Sequence, residues 1–210
     1  PSPTPFTDDL QGAGLTMSGG SLQLRRCTFT GNWASGDGGA IYADGGSLAL
    51  LDCTFRANGA GARVLPATSS TSSNPARGTG GAVRTDRQAK ITLSGCQFFG
   101  NFAGAQGGAL DTNNSEANLV RCLFIQNRAG STGGGAIWNS EGRLYTVNCI
   151  FNGNRSDYGG GAISNGFSGV LHAANCCLHA NSAKVQAGAI DNFFGAKASR
   201  GYAKAKMIIR

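Results

Sequence analysis

Apolar and polar residues alternate in short segments along this chain, and the segments recur at a nearly fixed period. In each recurrence an apolar pair, two residues apart, precedes a Cys-x-Phe pair, and the two residues between the pairs break the alternation. Alternation over a few residues is typical of a strand with one face inside. The interruption predicts a bend between consecutive strands. The pairs before the cysteines are Leu22/Leu24, Leu48/Leu50, Ile91/Leu93, Ala117/Leu119, Leu144/Thr146 and Leu171/Ala173.

Two motifs set the period of the repeat. Gly-Gly-Ala-(Ile/Val/Leu) starts at Gly38, Gly80, Gly107, Gly134 and Gly160, with a degenerate first copy at Gly12–Leu15 and a variant at Ala187–Ile190. Cys-x-Phe-x-x-Asn, with Leu for Phe in the last copy, repeats at Cys27, Cys53, Cys96, Cys122, Cys149 and Cys176. Its asparagines are Asn32, Asn58, Asn101, Asn127, Asn154 and Asn181. The cysteines are 26 or 27 residues apart, except for one interval of 43.

This repeat predicts an all-β, single-stranded right-handed parallel β-helix of about seven coils, with 26–27 residues and three short strands per coil. Helices are disfavoured because glycines interrupt every unit and no apolar stripe has a helical period. Right-handed crossovers are the default between parallel strands. We expect an N-terminal segment or cap at 1–11, the β-helix at 12–192 with a side loop inserted at 61–79, and a basic C-terminal tail at 193–210.

Stacking converts each repeat position into a column. The phenylalanines are expected to form an internal aromatic stack, and the asparagines to supply left-handed bends and to bond the backbone or amide of the next coil. We expect the six repeat cysteines to be free core thiols. A disulfide is the weaker alternative, because parallel in-register side chains rarely reach the required dihedral angle. Cys177 is expected to face outward.

Composition and charge narrow the classes of function. Glycine accounts for 34 of 210 residues, which the repeat explains as one bend per coil rather than as flexibility. The net charge is +7, but five basic residues and no acidic one lie between Phe193 and Arg210, so the β-helix itself is near neutral. That balance disfavours nucleic-acid binding. No apolar run is long enough to span a membrane. We expect no signal peptide within this sequence, and no cofactor or metal site, since no cysteines have a zinc spacing.

One outer face is predicted to be apolar. The residues one and three positions after each cysteine should point outward, and in the middle coils they are Phe99, Leu123, Ile125 and Ile150. A contiguous exposed apolar patch suggests a binding surface for a protein partner in a larger assembly. The alternative is that the inserted loop lies over this patch.

A second outer column follows the Gly-Gly-Ala motif and carries Tyr42, Arg84, Asp111 and Trp138. These residues suggest an alternative function, in which the β-helix binds glycans or acts on them as a lyase or hydrolase. Carboxylates on this face lack the spacing of a glycosidase pair, so we do not expect an enzyme. Asn113 lies in a sequon and is a candidate glycosylation site. Asn154 also lies in a sequon, but it belongs to the inner asparagine ladder and is not expected to carry a glycan.

The paired Gly-Gly-Ala-(Ile/Leu/Val) and Phe-x-x-Asn motifs resemble the repeat of the chlamydial polymorphic outer membrane proteins. The resemblance covers residues 12–192. It implies a right-handed parallel β-helix that is secreted or displayed on the cell surface and serves in adhesion or as a scaffold. The family repeat carries no catalytic residues. The sequence therefore favours a non-catalytic, adhesin-like scaffold that mediates protein–protein association in a cell-surface or extracellular assembly.

Overall fold

A computed structural model describes residues 11–61, 78–193 and 206–209, which form 26 strands and no helix. The strands make four sheets, A to D, in which all pairing is parallel. Sheet A contains β1 (Leu15–Ser18), β5 (Ile41–Asp44), β9 (Val83–Asp86), β13 (Leu110–Asn113), β17 (Ile137–Ser140), β21 (Ile163–Gly166) and β25 (Ile190–Phe193). Sheet B contains β2 (Ser21–Arg25), β6 (Ser47–Leu51), β10 (Lys90–Ser94), β14 (Glu116–Val120), β18 (Arg143–Val147), β22 (Val170–Ala174) and β26 (Lys206–Ile209).

The other two sheets have shorter strands. Sheet C contains β3 (Thr28–Thr30), β7 (Thr54–Arg56), β11 (Gln97–Phe99), β15 (Leu123–Ile125), β19 (Ile150–Asn152) and β23 (Cys177–His179). Sheet D contains β4 (Trp33–Ala34), β8 (Gly59–Ala60), β12 (Phe102–Ala103), β16 (Arg128–Ala129), β20 (Arg155–Ser156) and β24 (Ser182–Ala183). Each repeat position pairs with the same position of the next coil, as Phe98 does with Phe124. The predicted parallel β-helix is therefore confirmed.

Two details of the prediction differ from the structure. Each complete coil has four strands rather than three, because a two-residue strand follows each repeat asparagine, and two residues are too few to show alternation. The described residues form six complete coils, and β25 and β26 begin a seventh. Strand β26 pairs with β22 and lies in the segment predicted to be a basic tail. The tip of the inserted loop, at 62–77, lies outside the described residues, as do 1–10 and 194–205.

The bends depend on residues that precede the motif positions. Arg121, before Cys122, has φ 52°, and Gln126, before Asn127, has φ 53°. Five further residues before the repeat asparagines also have positive φ: Gly31, Ala57, Gly100, Gly153 and Ala180. The expectation that the asparagines themselves take the left-handed conformation is therefore wrong. Turning the chain one residue earlier leaves the asparagine amide free to reach the next coil.

The two glycines of the Gly-Gly-Ala motif are required for different reasons. Gly134 has φ +66°, a region that favours glycine. Gly135 has no such angle, but a Cβ atom there would lie 2.1 Å from the carbonyl oxygen of Gly161 in the next coil. The motif thus combines a left-handed bend with a close approach between coils.

Aromatic rings and amides form continuous columns in the core, as predicted. Consecutive rings from Phe29 to Phe151 stack at centroid separations of 4.8–5.0 Å and within 6° of parallel. In the asparagine column, the backbone N–H and side-chain Nδ2 of Asn101 both donate to Oδ1 of Asn127, at 3.0 and 2.9 Å. Nδ2 of Asn127 also donates to the Phe98 carbonyl at 3.0 Å. Each buried amide is therefore bonded on both sides.

A second buried polar column crosses the inner face of sheet A, and the sequence reasoning missed it. The hydroxyl of Thr112 donates to Oδ1 of Asn139 at 3.0 Å. Nδ2 of Asn139 donates to Oδ1 of Asn165 at 2.6 Å, and Nδ2 of Asn165 donates to Oδ1 of Asn192 at 2.7 Å. The strand Ile137–Ser140 contains the signal, since Asn139 shares the face of the core residue Ile137.

The cysteine column consists of free thiols, as expected. Cys53, Cys96, Cys122 and Cys149 are buried, Cys27 and Cys176 are half-buried, and Cys177 is exposed. The Cys96 thiol donates to the Leu50 carbonyl of the preceding coil at 3.2 Å. Burial raises the pKa of the Cys53 thiol, which keeps it protonated and uncharged at neutral pH.

Candidate functional site

The four predicted apolar residues lie together on the outer face of sheet C. Leu123 pairs in register with Ile150, and Phe99 pairs with Ile125, so the four side chains span three neighbouring strands. Ile150 is 42% exposed and the other three are half-buried. We call Phe99, Leu123, Ile125 and Ile150 the sheet C patch. It presents apolar surface on a rigid parallel sheet.

The patch is wider than the sequence reasoning predicted. Val120 and Val147, the last residues of two sheet B strands, pair in register and are half-buried on the outer face. Each is followed, after a two-residue bend, by Leu123 and Ile150 of the patch. Apolar side chains therefore line both sides of the bend between sheets B and C. The signal was present in the sequence, because an apolar residue occupies the outward end of both of these alternating segments.

The sheet A column brings Arg84 and Asp111 together. A guanidinium nitrogen of Arg84 lies 2.9 Å from an Asp111 carboxylate oxygen, and a second lies 3.0 Å from Asp86. Nε of Arg84 lies 3.5 Å from Asp37. Arg84 also donates to the hydroxyl of Thr79. We call Asp37, Arg84, Asp86 and Asp111 the sheet A cluster. The sequence reasoning missed Asp37 because it lies on the turn between sheets D and A.

Burial changes the titration of this cluster. Asp111 has no exposed surface, and burial raises the pKa of its carboxyl to about 6, although the neighbouring Arg84 charge opposes the rise. Burial works against the charge of Arg84, yet the carboxylates of Asp111 and Asp37 hold the pKa of the guanidinium above its usual value. Arg84 is therefore a fixed cation surrounded by carboxylates.

The aromatic members of the same column are covered. Trp138 is 4% exposed, and the rings of Phe167 and Phe193 lie 6.3 and 5.4 Å from it, centroid to centroid. Tyr42 is 9% exposed. A sugar stacks on an aromatic face that solvent reaches, and neither ring offers one. The buried Asp111 is equally closed to a substrate. These positions weigh against the alternative carbohydrate site at Tyr42, Arg84, Asp111 and Trp138.

The two sequons differ in access. Asn154 is fully buried and donates through Nδ2 to Phe124 and Asn181, so it belongs to the inner ladder. Asn113 is half-buried at the end of β13, and its Nδ2 donates to Asp86 at 3.2 Å. Glycosylation of Asn113 stays a prediction. Among the described residues, no group of three or more His, Cys, Asp or Glu side chains is arranged to hold a metal ion. Within the same ranges, no helix is long and apolar enough to cross a membrane.

Comparison with known proteins gives one match. The family model described as the right-handed beta helix region matches residues 11–188. No curated protein and no solved structure matches the chain. The matched range extends from the residues before β1 to the turn that follows β24, and so includes all six complete coils. The chain therefore belongs to the right-handed β-helix family.

Proposed function

We propose that this β-helix is a non-catalytic, adhesin-like scaffold of a cell-surface or extracellular assembly, and that it binds a protein partner through the sheet C patch. The observation that carries the proposal is the adjacency of Leu123, Ile150, Phe99 and Ile125 on one outer face. An exposed apolar patch on a soluble protein costs free energy unless a partner covers it, which is why such patches mark binding surfaces.

The rigidity of the sheet supports this role. Each strand of the patch is paired on both sides, so its backbone is held in place before a partner arrives. A surface that is already ordered loses little conformational entropy on binding. The placement outside the cell rests on the resemblance of the repeat to the polymorphic outer membrane proteins. In this proposal, the sheet A cluster contributes to stability rather than to catalysis.

The proposal is tested by placing a charge in the patch. Leu123→Asp and Ile150→Asp put a carboxylate on apolar contact surface, whereas Thr28→Asp makes the same kind of change at an exposed position of sheet C in the first coil. Circular dichroism and thermal unfolding should show that all three variants fold. Proteins captured from surface extracts of the source cells by wild type and variants are then compared by mass spectrometry, and each candidate is purified and its dissociation constant measured.

We expect a purified partner that binds wild type and Thr28→Asp with equal affinity and binds the two patch variants at least about tenfold more weakly. Equal binding to all four proteins would refute the role of the patch. A panel of neutral and acidic glycans tests the alternative function. Binding of a glycan that is lost in Trp138→Ala, with the patch variants unaffected, would favour the carbohydrate reading.

A further inference from the structure

Charge is segregated between the faces of the β-helix. In sheets C and D, none of the outward-facing residues of the described strands is acidic, while Arg56, Arg128 and Arg155 are basic. The outward positions of sheet A hold four aspartates, Asp44, Asp86, Asp111 and Asp191, and a single arginine, Arg84. The strands of the two faces therefore carry charges of opposite sign, although Asp52 and Asp157 lie on bends that border sheets C and D.

Arginines border the sheet C patch on three sides. Arg121 is on the bend that enters β15, and Arg128 follows the turn that leaves it. On the side of the earlier coils, the Arg56 guanidinium lies 5.0 Å from the centroid of the Phe99 ring. A cation over a ring face is attracted to it, so Arg56 is held against the edge of the patch.

Most of these charges have no acidic partner. Arg128 pairs with Asp157 at 2.9 Å. Among the described residues, Arg56, Arg121 and Arg155 form no ion pair. Arg128 and Arg155 are directly opposite each other on neighbouring strands, and like charges in that position repel. A ligand that brought carboxylates to this rim would relieve the repulsion and satisfy the guanidinium donors.

We infer that the partner segment of the sheet C patch carries apolar side chains flanked by carboxylates. This inference rests on the proposed function and specifies its partner. The apolar centre, extended by Val120 and Val147, takes the partner's apolar side chains. The rim arginines bind the partner's acidic side chains, since a guanidinium donates two parallel hydrogen bonds to a carboxylate. Rim charges of this kind select partners and speed association.

Phosphate groups would also satisfy arginines, so nucleic acid is the competing ligand. A protein surface that binds nucleic acid is basic along its length. Here, in contrast, the arginines surround an apolar centre formed by Leu123, Ile125 and Ile150. Burying this centre is favourable against apolar side chains but not against a phosphate backbone. The apolar centre therefore favours a polypeptide.

The test uses short synthetic peptides labelled with a fluorophore. One combines leucine, glutamate and serine, the second has lysine in place of each glutamate, and the third has serine in place of each leucine. A single-stranded oligonucleotide of similar length is the fourth probe. Fluorescence anisotropy measures their binding to full-chain wild type, to the double variant Arg56→Glu/Arg121→Glu, and to Arg25→Glu. Arg25 is an exposed arginine in the first coil that forms no ion pair among the described residues, so its variant controls for a charge reversal away from the patch.

We expect the acidic apolar peptide to bind wild type and Arg25→Glu at least about tenfold more tightly than the other three probes, with an affinity that falls as salt rises. The double variant should lose this preference and bind the lysine peptide better. Tighter binding of the oligonucleotide, or an acidic preference unchanged in the double variant, would overturn the inference.

The double variant Leu123→Ser/Ile150→Ser separates this inference from the proposed function. If it abolishes peptide binding while the glutamate and lysine peptides bind wild type equally, the patch is a docking surface and the acidic partner is wrong. If it changes the binding of no peptide, the docking surface itself is wrong. Loss of binding together with the acidic preference supports both.

Discussion

Arg84 donates a 2.9 Å hydrogen bond to Asp111, an outward-facing carboxylate that has no exposed surface. Connections between sheets D and A from two neighbouring coils meet at the pair, because Thr79, before β9, accepts a hydrogen bond from Arg84 and donates to Asp37, before β5. The β-helix therefore has a polar, buried layer outside one of its sheets, in addition to its inner core. A buried ion pair of this kind costs desolvation, and its value depends on both partners being present.

Removal of the central cation should be strongly destabilising. Arg84→Met leaves Asp111, Asp86 and Asp37 without their shared partner, and we expect the free energy of unfolding to fall by about 3–5 kcal/mol. Arg87→Met is the control, because Arg87 pairs with Asp44 at 2.9 Å but has a side chain 79% exposed. Its loss should be under about 1 kcal/mol. Urea unfolding measures both, and equal losses would mean that the Arg84 cluster is not stabilising.

The pH dependence of stability should report the titration of Asp111. Its folded-state pKa of about 6 lies above the usual 3.8, so the folded state binds the proton more tightly than the unfolded state. Ionisation of the buried Asp111 lowers the free energy of unfolding. This loss is absent below about pH 4 and grows as the pH rises to about 6, reaching about 3 kcal/mol. Asp111→Asn removes this titration. The free energy of unfolding of wild type relative to Asp111→Asn should therefore fall as the pH rises from 4 to above 6.

Parallel pH curves for wild type and Asp111→Asn would contradict this assignment. They would mean that Arg84 outweighs burial and keeps the Asp111 carboxylate ionised in the folded protein. Urea unfolding at a series of pH values, at constant ionic strength, gives the comparison.

The asparagine ladder should be most sensitive in the middle of the β-helix. Asn127→Ala removes the acceptor of two Asn101 donors and the donor to the Phe98 carbonyl. Buried groups left without partners cost about 1–3 kcal/mol each, and we expect a total loss of about 3–5 kcal/mol. Asn127→Asp should cost at least as much, since a carboxylate would face the Asn154 amide oxygen and the Phe98 carbonyl.

The matched control is Asn32→Ala, at a half-buried position of the first coil that water reaches. Its loss should be clearly smaller than that of Asn127→Ala in the same denaturation experiment. A ladder that only fills space would give similar losses at both positions, or no added penalty for aspartate.

The second glycine of the repeat motif should tolerate no side chain where the coils are tightly stacked. Gly135→Ala places a Cβ atom 2.1 Å from the Gly161 carbonyl oxygen, and we expect a loss of about 1–3 kcal/mol or more. Gly188→Ala is the same substitution in the last copy, where the nearest atom, the Asn181 carbonyl oxygen, lies 3.1 Å away. Thermal unfolding should show a much smaller loss there. A similar loss at both positions would show that close approach is not the cause.

The sequence alone determined the parallel β-helix, its columns and the outward apolar face. It could do so because every coil repeats the same local pattern, and in-register stacking then follows from the repeat itself. Phe124 and Asn127 occupy the columns that the spacing assigned to them. Leu123 and Ile150 also lie side by side on the outer face, as the alternation predicted.

Only the tertiary structure decided which outward residues reach solvent. Alternation tells which way a side chain points from its strand, but not what lies over it. Trp138, which the pattern assigned to an outward position, is covered by Phe167 and Phe193. Asp37 contacts Arg84 from a turn 47 residues earlier in the chain, and no local sequence pattern predicts that contact. Burial and pairing on this face depend on how the turns fold back over the sheet, and that is a property of the stacked coils rather than of any single repeat.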